Sequence, residues 1–359
     1  MTWPRQGLAK LLGIEHPIIQ APMAGASTPM LAAAVSNAGA LGGFGGSDSD
    51  PEELREVVRA IRRLTDRPFI INLYVGRANP YVSAAEDERA LKQALAPAHV
   101  ELGAGEVPDP VDLFVSYREQ AAVMLEEHVP VLSSHFGAPN ADIVRALKAN
   151  GTRVIVSATT VAEARHLEAA GVDAIIAQGS EAGGHRGSFA ARTGHSGIGT
   201  LALVPQIVDA VSVPVIAAGG IMDGRGIAAA FNLGASGVQM GTAFVACPET
   251  AANPAYVKRL LHAEPEDAVL TNAISGRPMR VLRNKLVDLL EQHEEHCLDF
   301  PEQLSMTRNL RKVAAGTQDA EFLALWAGQG VKLARAMPAA ELVQTLVAQA
   351  QELLRCHHH

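Results

Sequence analysis

The feature that most constrains this chain is an alternation. Short apolar or β-branched runs at 17–21, 40–42, 69–73, 130–134, 153–157, 174–178, 214–218 and 237–240 are separated by segments of helical periodicity at 28–37, 51–64, 111–127, 138–150, 160–170, 200–210 and 224–232. The runs have the length of buried strands, and several helical segments end at Gly or Asn, as a helix C-cap requires. Eight strand–helix repeats predict an α/β fold of the (β/α)8 TIM barrel type. A doubly wound open sheet is the alternative, weakened by the absence of a G-x-G-x-x-G turn after the first strand.

The chain has 359 residues, enough for one such barrel with additions. Beyond 245 the alternation stops and helical segments follow at 254–262, 284–295, 301–313 and 339–354. The expected organisation is a barrel over 1–245 with an inserted loop at 76–110, then a helical extension over 246–356 packed against it. Residues 357–359 are histidines and read as a tag remnant.

Apolar residues make up 48% and charged residues 19%, a composition of packed α/β enzymes rather than disordered chains. The formal net charge is −8 and the basic residues are scattered, so the footprint of a nucleic-acid binder is missing. Neither a basic leader followed by an apolar stretch nor a run of about 20 apolar residues is present, and a soluble cytoplasmic protein acting on small molecules is expected. Cys247, Cys297 and Cys356 show no metal-ligand or disulfide spacing and read as reduced thiols.

In such a barrel, chemistry belongs at the carboxyl ends of the strands. The sixth strand runs into Gln178-Gly179-Ser180-Glu181-Ala182-Gly183-Gly184-His185-Arg186-Gly187, which packs four glycines, an imidazole and a guanidinium behind an apolar run. His185 is therefore a candidate catalytic group, able to take a proton near neutral pH or, protonated, to hold an anion. His135, in Ser134-His135-Phe136-Gly137 at the end of the fourth strand, is a second candidate. Neither has a spacing that suits zinc, so no metal is expected.

Gly219-Gly220 after the seventh strand and Gln239-Met240-Gly241-Thr242 after the eighth occupy the two loops that often hold phosphate in barrels, although glycines also serve tight turns. Pro22 and Met23 end the first strand and could floor a flat ring. Asn72 and Gln178 are amides at strand ends, suited to the edge of a heterocycle or to satisfying their own loops. Glu181 could orient Arg186 or nearby backbone. In Trp326-Ala327-Gly328-Gln329-Gly330, Gln329 could close over a cofactor, while helix C-caps explain the same glycines.

Assembled, these residues resemble the nitronate monooxygenases, formerly called 2-nitropropane dioxygenases, of the class I type. The resemblance covers nearly the whole chain. It is carried by Pro17-Ile18-Ile19-Gln20-Ala21-Pro22-Met23-Ala24-Gly25, Asn72, 134–137, 178–187, Ala218-Gly219-Gly220, Gln239 to Thr242, Ser275-Gly276-Arg277-Pro278 and 326–330. It implies an FMN-dependent barrel that uses O2 to convert alkyl nitronates, such as propionate 3-nitronate, to carbonyl compounds and nitrite. It also implies that Asn72, Gln178, Gly183, Gly220, Gln239, Met240, Gly241 and Thr242 bind FMN, with Pro22 and Met23 near the ring. His185 matches the family's catalytic histidine and His135 an active-site histidine expected to position substrate.

The competing enzyme reading is an FMN-dependent, NAD(P)H-using enoyl-acyl-carrier-protein or quinone reductase, because those barrels share the phosphate loops and a Gly-Gly-His segment. An inosine monophosphate dehydrogenase is disfavoured by the lack of a cysteine in the sixth-strand loop. A flavin-binding protein without turnover is the reading outside enzyme chemistry.

Overall fold

A computed structural model describes residues 3–76, 83–190 and 197–355, so Cys356 and the terminal histidines lie outside the described residues. The strands β1 (Ile18–Gln20), β2 (Gly42–Gly45), β3 (Phe69–Tyr74), β4 (Val131–His135), β5 (Arg153–Ala158) and β6 (Ala174–Gln178) are followed by a two-residue strand, β7 (Gly184–His185), that leaves the sheet. β8 (Val215–Ala218) and β9 (Gly237–Met240) then complete it. The sheet order is β1-β9-β8-β6-β5-β4-β3-β2, every neighbour parallel, and a parallel bridge between Ile19 and Leu41 joins its two edges. This is the expected (β/α)8 barrel.

The strand hardest to read in sequence is β2, whose residues are Gly-Gly-Phe-Gly. Its glycines lower intrinsic strand preference, but a Cβ on Gly42 would stand 1.8 Å from the carbonyl oxygen of Ala32, so only glycine lets this strand lie under the helix Pro29–Asn37. The helices begin where side chains cap them. Thr28 and Thr160 accept from the backbone N–H three residues on, and Asp50 forms a capping box with Glu53.

Inside the barrel, Ile19, Leu41, Ile70, Val131, Ile155 and Ile216 pack with Leu8 and Leu12 of the first helix, Gly7–Leu12. That helix plugs the end where the strands begin, which leaves their carboxyl ends as the open face. Around the barrel a larger apolar layer joins strands to helices, and the last helix, Ala339–Arg355, belongs to it: Leu342, Val343, Leu346 and Ala350 are buried there. This helix packs on Gly224–Asn232 and Pro29–Asn37, so it returns to the barrel and covers the wall near β9 and β1.

Between Val245 and that return, the chain builds a second core. The expected helical segment also carries an antiparallel pair, β10 (Ala268–Thr271) and β11 (Met279–Leu282), and β11 continues the pairing onto β7 through Met279 and His185. The stretch 76–110, expected as a loop, contains the helix Ala85–Leu102, and the helix expected from 111 starts at Tyr117. Leu91, Leu95 and Ala98 of the first of these helices are buried in the second core with Leu282, Leu286, Leu310 and Phe322. Their spacing of four and three marks a helix face. Among the described residues no helix is long and apolar enough to cross a membrane.

Candidate active site

A cavity of about 690 Å³ opens at the carboxyl ends of the barrel strands and is roofed by the second core. Twelve of the residues expected from sequence line it: Pro22, Met23, Asn72, His135, Gln178, Gly183, His185, Gly220, Gln239, Met240, Gly241 and Thr242. Gln329 is the exception. Its side chain is exposed and outside the lining, while its backbone N–H donates to the Glu181 carbonyl at 3.0 Å. The flanking Gly328 and Gly330 face the cavity, as does Trp326 of the same turn.

One wall is a cradle made largely of backbone. Gly219 and Gly220 adopt φ of +119° and +70°, a region that costs a residue with a side chain. Opposite them, a Cβ on Gly183 would lie 2.6 Å from the carbonyl carbon of Ala327 and the nitrogen of Gly328. The Thr242 hydroxyl accepts from Gly328 N–H at 2.9 Å and ties the eighth-strand loop to this turn. Against the same cavity, Gln239 keeps a buried amide oxygen with no hydrogen-bond partner among the described residues. A buried amide oxygen with no donor costs free energy until a donor reaches it, so this wall suits a ligand with N–H or O–H groups.

The loop that carries His185 is pinned at several points. Glu181 does not pair directly with Arg186; its carboxylate accepts from Thr200 N–H and hydroxyl at 2.9 Å each and caps the helix Thr200–Val208. Arg186 turns back on its own loop and donates to the carbonyls of Gln178 and Gly179 at 2.9 and 2.6 Å. Fully buried Glu163 accepts from Phe189 and Ala190 N–H at 2.8 and 3.1 Å, fixing the chain beyond. Gln178 donates to the His185 carbonyl at 2.9 Å and accepts from Gly187 N–H at 2.8 Å, which leaves its amide one hydrogen and one lone pair for anything else.

His135 is similarly committed. Its Nε2 faces the His185 carbonyl at 3.1 Å and must donate there, so Nδ1 is the acceptor for the Ser157 hydroxyl at 3.1 Å. Burial, joined by the positive charges of Arg277 and Arg186, holds its pKa down to about 4, although the His185 carbonyl works the other way. In this arrangement both ring nitrogens serve the protein, and His135 reaches a ligand with its ring face and edge.

The His185 imidazole is boxed by aromatic rings. Phe300 lies 4.9 Å away between centroids, Trp326 5.2 Å, Phe136 5.9 Å and Tyr74 6.2 Å. Nε2 shares a hydrogen bond of 2.9 Å with the fully buried Ser275 hydroxyl. Burial, then the neighbouring His135 and Arg277, lower its pKa to about 3, so the ring is neutral at physiological pH. Arg277 lies over the Phe136 ring at 4.0 Å and brings positive charge to this side. The arrangement can present a neutral imidazole to a small organic anion in a largely dry, aromatic recess.

Sequence reasoning missed Tyr74, Phe300, Leu304, Asp48 and Arg311, all of which line the cavity. Tyr74 was within reach, because it stands two residues after Asn72 on β3 and a strand repeats its faces every second residue. The others carry no local signal.

A family model described as Nitronate monooxygenase matches residues 5–349. A nitronate monooxygenase of Pseudomonas aeruginosa is 49% identical over 342 residues, covering 94% of this chain and 97% of that protein. Among solved structures, nitroalkane oxidase from Streptomyces ansochromogenes superposes with a TM-score of 0.89 at 38% identity, over 98% of this chain and all of that one. FabK from Thermotoga maritima superposes with a TM-score of 0.77 at 34% identity, over 99% of each chain.

Proposed function

The chain belongs to the nitronate monooxygenase family, and from that premise we propose that it is an FMN-dependent oxidoreductase that converts alkyl nitronates and O2 to carbonyl compounds and nitrite. The observation that carries the proposal is the placing of a buried, neutral His185 in an aromatic recess of the same cavity that holds the glycine cradle and the unpartnered Gln239 oxygen.

The residues fit FMN. Gly183, Gly220, Gly241 and Thr242 would hold its phosphate side, where backbone N–H groups approach an anion without an intervening side chain. Gln239, Asn72 and the remaining capacity of Gln178 would meet the polar edge of the ring, with Pro22, Met23 and Met240 against its apolar surface. When bound, FMN supplies the electron acceptor for the carbanion character of the nitronate and the partner through which O2 enters the chemistry.

The protein's own part is binding and orientation. The aromatic rings around His185 make an apolar recess in which the imidazole is the polar group offered to a nitronate anion, with the charge of Arg277 set behind the Phe136 ring. With a pKa near 3, His185 is unprotonated and acts toward a nitronate as a neutral hydrogen-bonding group; toward a neutral nitroalkane the same unprotonated ring is the proton acceptor at the α-carbon. Ser275 sets the ring's orientation through Nε2. His135 supports the recess by holding the His185 carbonyl.

A second reading, an NAD(P)H-using reductase, draws support from the likeness to FabK. Anaerobic mixing separates the two. Flavin bleaching by propionate 3-nitronate or ethylnitronate, with none by NADH or NADPH, is the expected result; rapid bleaching by NADPH alone would overturn the proposal in favour of the reductase.

A further inference from the structure

Among the described residues lining the cavity, only two side chains besides the histidines are ionisable at neutral pH, Asp48 and Arg311. They enter from different parts of the fold. Asp48 follows β2 and is exposed at the mouth, and Arg311 projects from the helix Arg308–Thr317 of the second core. We propose that Arg311 determines substrate specificity by receiving a carboxylate carried at the far end of the nitronate. This deepens the nitronate reading and rests on it.

The guanidinium is held in place. Its Nε donates to the fully buried Thr307 hydroxyl at 3.1 Å and its Nη2 to the Leu304 carbonyl at 3.0 Å. Nη1 has no hydrogen-bond partner among the described residues, and the group lines the cavity. Burial lowers the Arg311 pKa to about 10, with Asp48 acting in the opposite direction, so the group remains a cation at neutral pH in a poorly hydrated place. Asp48 exerts its field without forming a direct ion pair; its carboxylate accepts from the Ser47 hydroxyl at 3.1 Å. A partly desolvated cation with no contact counter-ion among the described residues gains from any anion that reaches it, and a carboxylate fits a guanidinium held in one orientation.

The wall between Arg311 and His185 is continuous. Phe300 stacks its edge on His185, and Leu304 lines the cavity next while its carbonyl holds Arg311. A short apolar spacer therefore lies along Phe300 and Leu304, with the nitronate at His185 and a carboxylate at Arg311. A nitronate ending in a methyl group fills the same wall but leaves the cation unanswered.

Steady-state kinetics with propionate 3-nitronate and propyl-1-nitronate, which differ in a carboxylate against a methyl, test the assignment. The wild-type kcat/KM favours the carboxylate-bearing substrate. In Arg311→Gln that preference falls roughly 10- to 100-fold, the size of a lost charge-assisted hydrogen bond, and the loss appears in KM. Arg311→Lys keeps the charge without the fork and falls between the two. Asp48→Asn, at an exposed position, shifts the preference further toward the carboxylate by removing a repelling charge, and it decides the question if Arg311→Gln does not fold. An equal loss on both substrates in folded Arg311→Gln, or a preference unmoved by both Arg311→Lys and Asp48→Asn, overturns the proposal. A wild-type enzyme that oxidises propyl-1-nitronate as well as propionate 3-nitronate overturns this inference alone, whereas one that oxidises neither brings down the nitronate reading and this inference with it.

Discussion

The two walls of the cavity are built on different principles. The barrel wall is largely backbone: positive-φ glycines at 219 and 220, a glycine at 183 whose Cβ would press on the Ala327–Gly328 backbone, and a sixth-strand loop tied down by Glu181, Arg186 and Glu163. The wall from the second core is made of side chains, Phe300, Leu304, Trp326 and Arg311, standing on short helices and turns. Backbone is the material for a part of a ligand that never varies, such as a phosphate. Side chains can be exchanged without disturbing the fold, and they suit the part of the site that chooses substrate.

Substitutions on the two walls should therefore fail in different ways. The largest effect is expected from His185→Asn, which lowers kcat roughly 10²- to 10⁴-fold in steady-state assays while the purified protein keeps its flavin absorbance. Unchanged turnover would remove His185 from the chemistry. Gly183→Ala should cost about 1–3 kcal/mol of stability and reduce flavin occupancy, because its Cβ meets the Ala327–Gly328 backbone at 2.6 Å; a normal flavin content and denaturation midpoint would show that the cradle yields. On the opposite wall, Phe300→Ala should raise KM about tenfold and leave the bound flavin spectrum intact, as expected for a contact worth roughly 1–2 kcal/mol. If it strips the flavin instead, the division between the walls is wrong.

A smaller effect is expected from pH. His135 and His185 have folded pKa values held near 4 and 3, below the ordinary 6.5, so below pH 6.5 the unfolded chain binds protons that the native one refuses. Their contribution to stability is complete above pH 6.5 and is lost as pH falls from there toward 4 and 3, by at most about 1.4 kcal/mol per pH unit for each histidine. Urea midpoints measured from pH 7 to pH 4.5 should fall, and His135→Gln should flatten the slope; an unaltered slope would mean that this ring is not excluded from protonation. The smallest effect belongs to Gln329→Ala, an exposed side chain on the turn whose glycines face the cavity. Kinetics and stability should stay within about 0.5 kcal/mol of wild type, and a lost flavin would return Gln329 to the site.

Much of the first wall was legible before any fold was known. Gly183, Gly220 and Gly241 were visible because a backbone that must approach something closely writes glycine into the sequence, and His185 because it follows a buried strand. Gln178 was located correctly at the cavity, yet its hydrogen bonds to its own loop appear only when Gly187 folds back nine residues later. Tyr74 lay one strand repeat from Asn72. The helix Ala85–Leu102 was obscured because its apolar face of Leu91, Leu95 and Ala98 is narrow and follows a long polar approach. Trp326 and Gln329 sit in one glycine-bounded turn, and nothing local distinguishes the ring that reaches the histidine from the amide that faces water.

By itself, the sequence determined what repeats along the chain: eight buried runs with helices between them, the loops that carry glycine, and the strand ends that carry imidazoles. These follow from short-range rules of periodicity, capping and backbone freedom. Only the tertiary structure decided which distant residues share the cavity. Phe300 reaches His185 across 115 positions, β11 pairs with β7, the last helix returns to the barrel, and Asp48 and Arg311 meet one space from opposite ends of the chain. Those contacts arise from burying apolar surface between segments far apart in sequence, and such burial leaves no periodic mark in either segment.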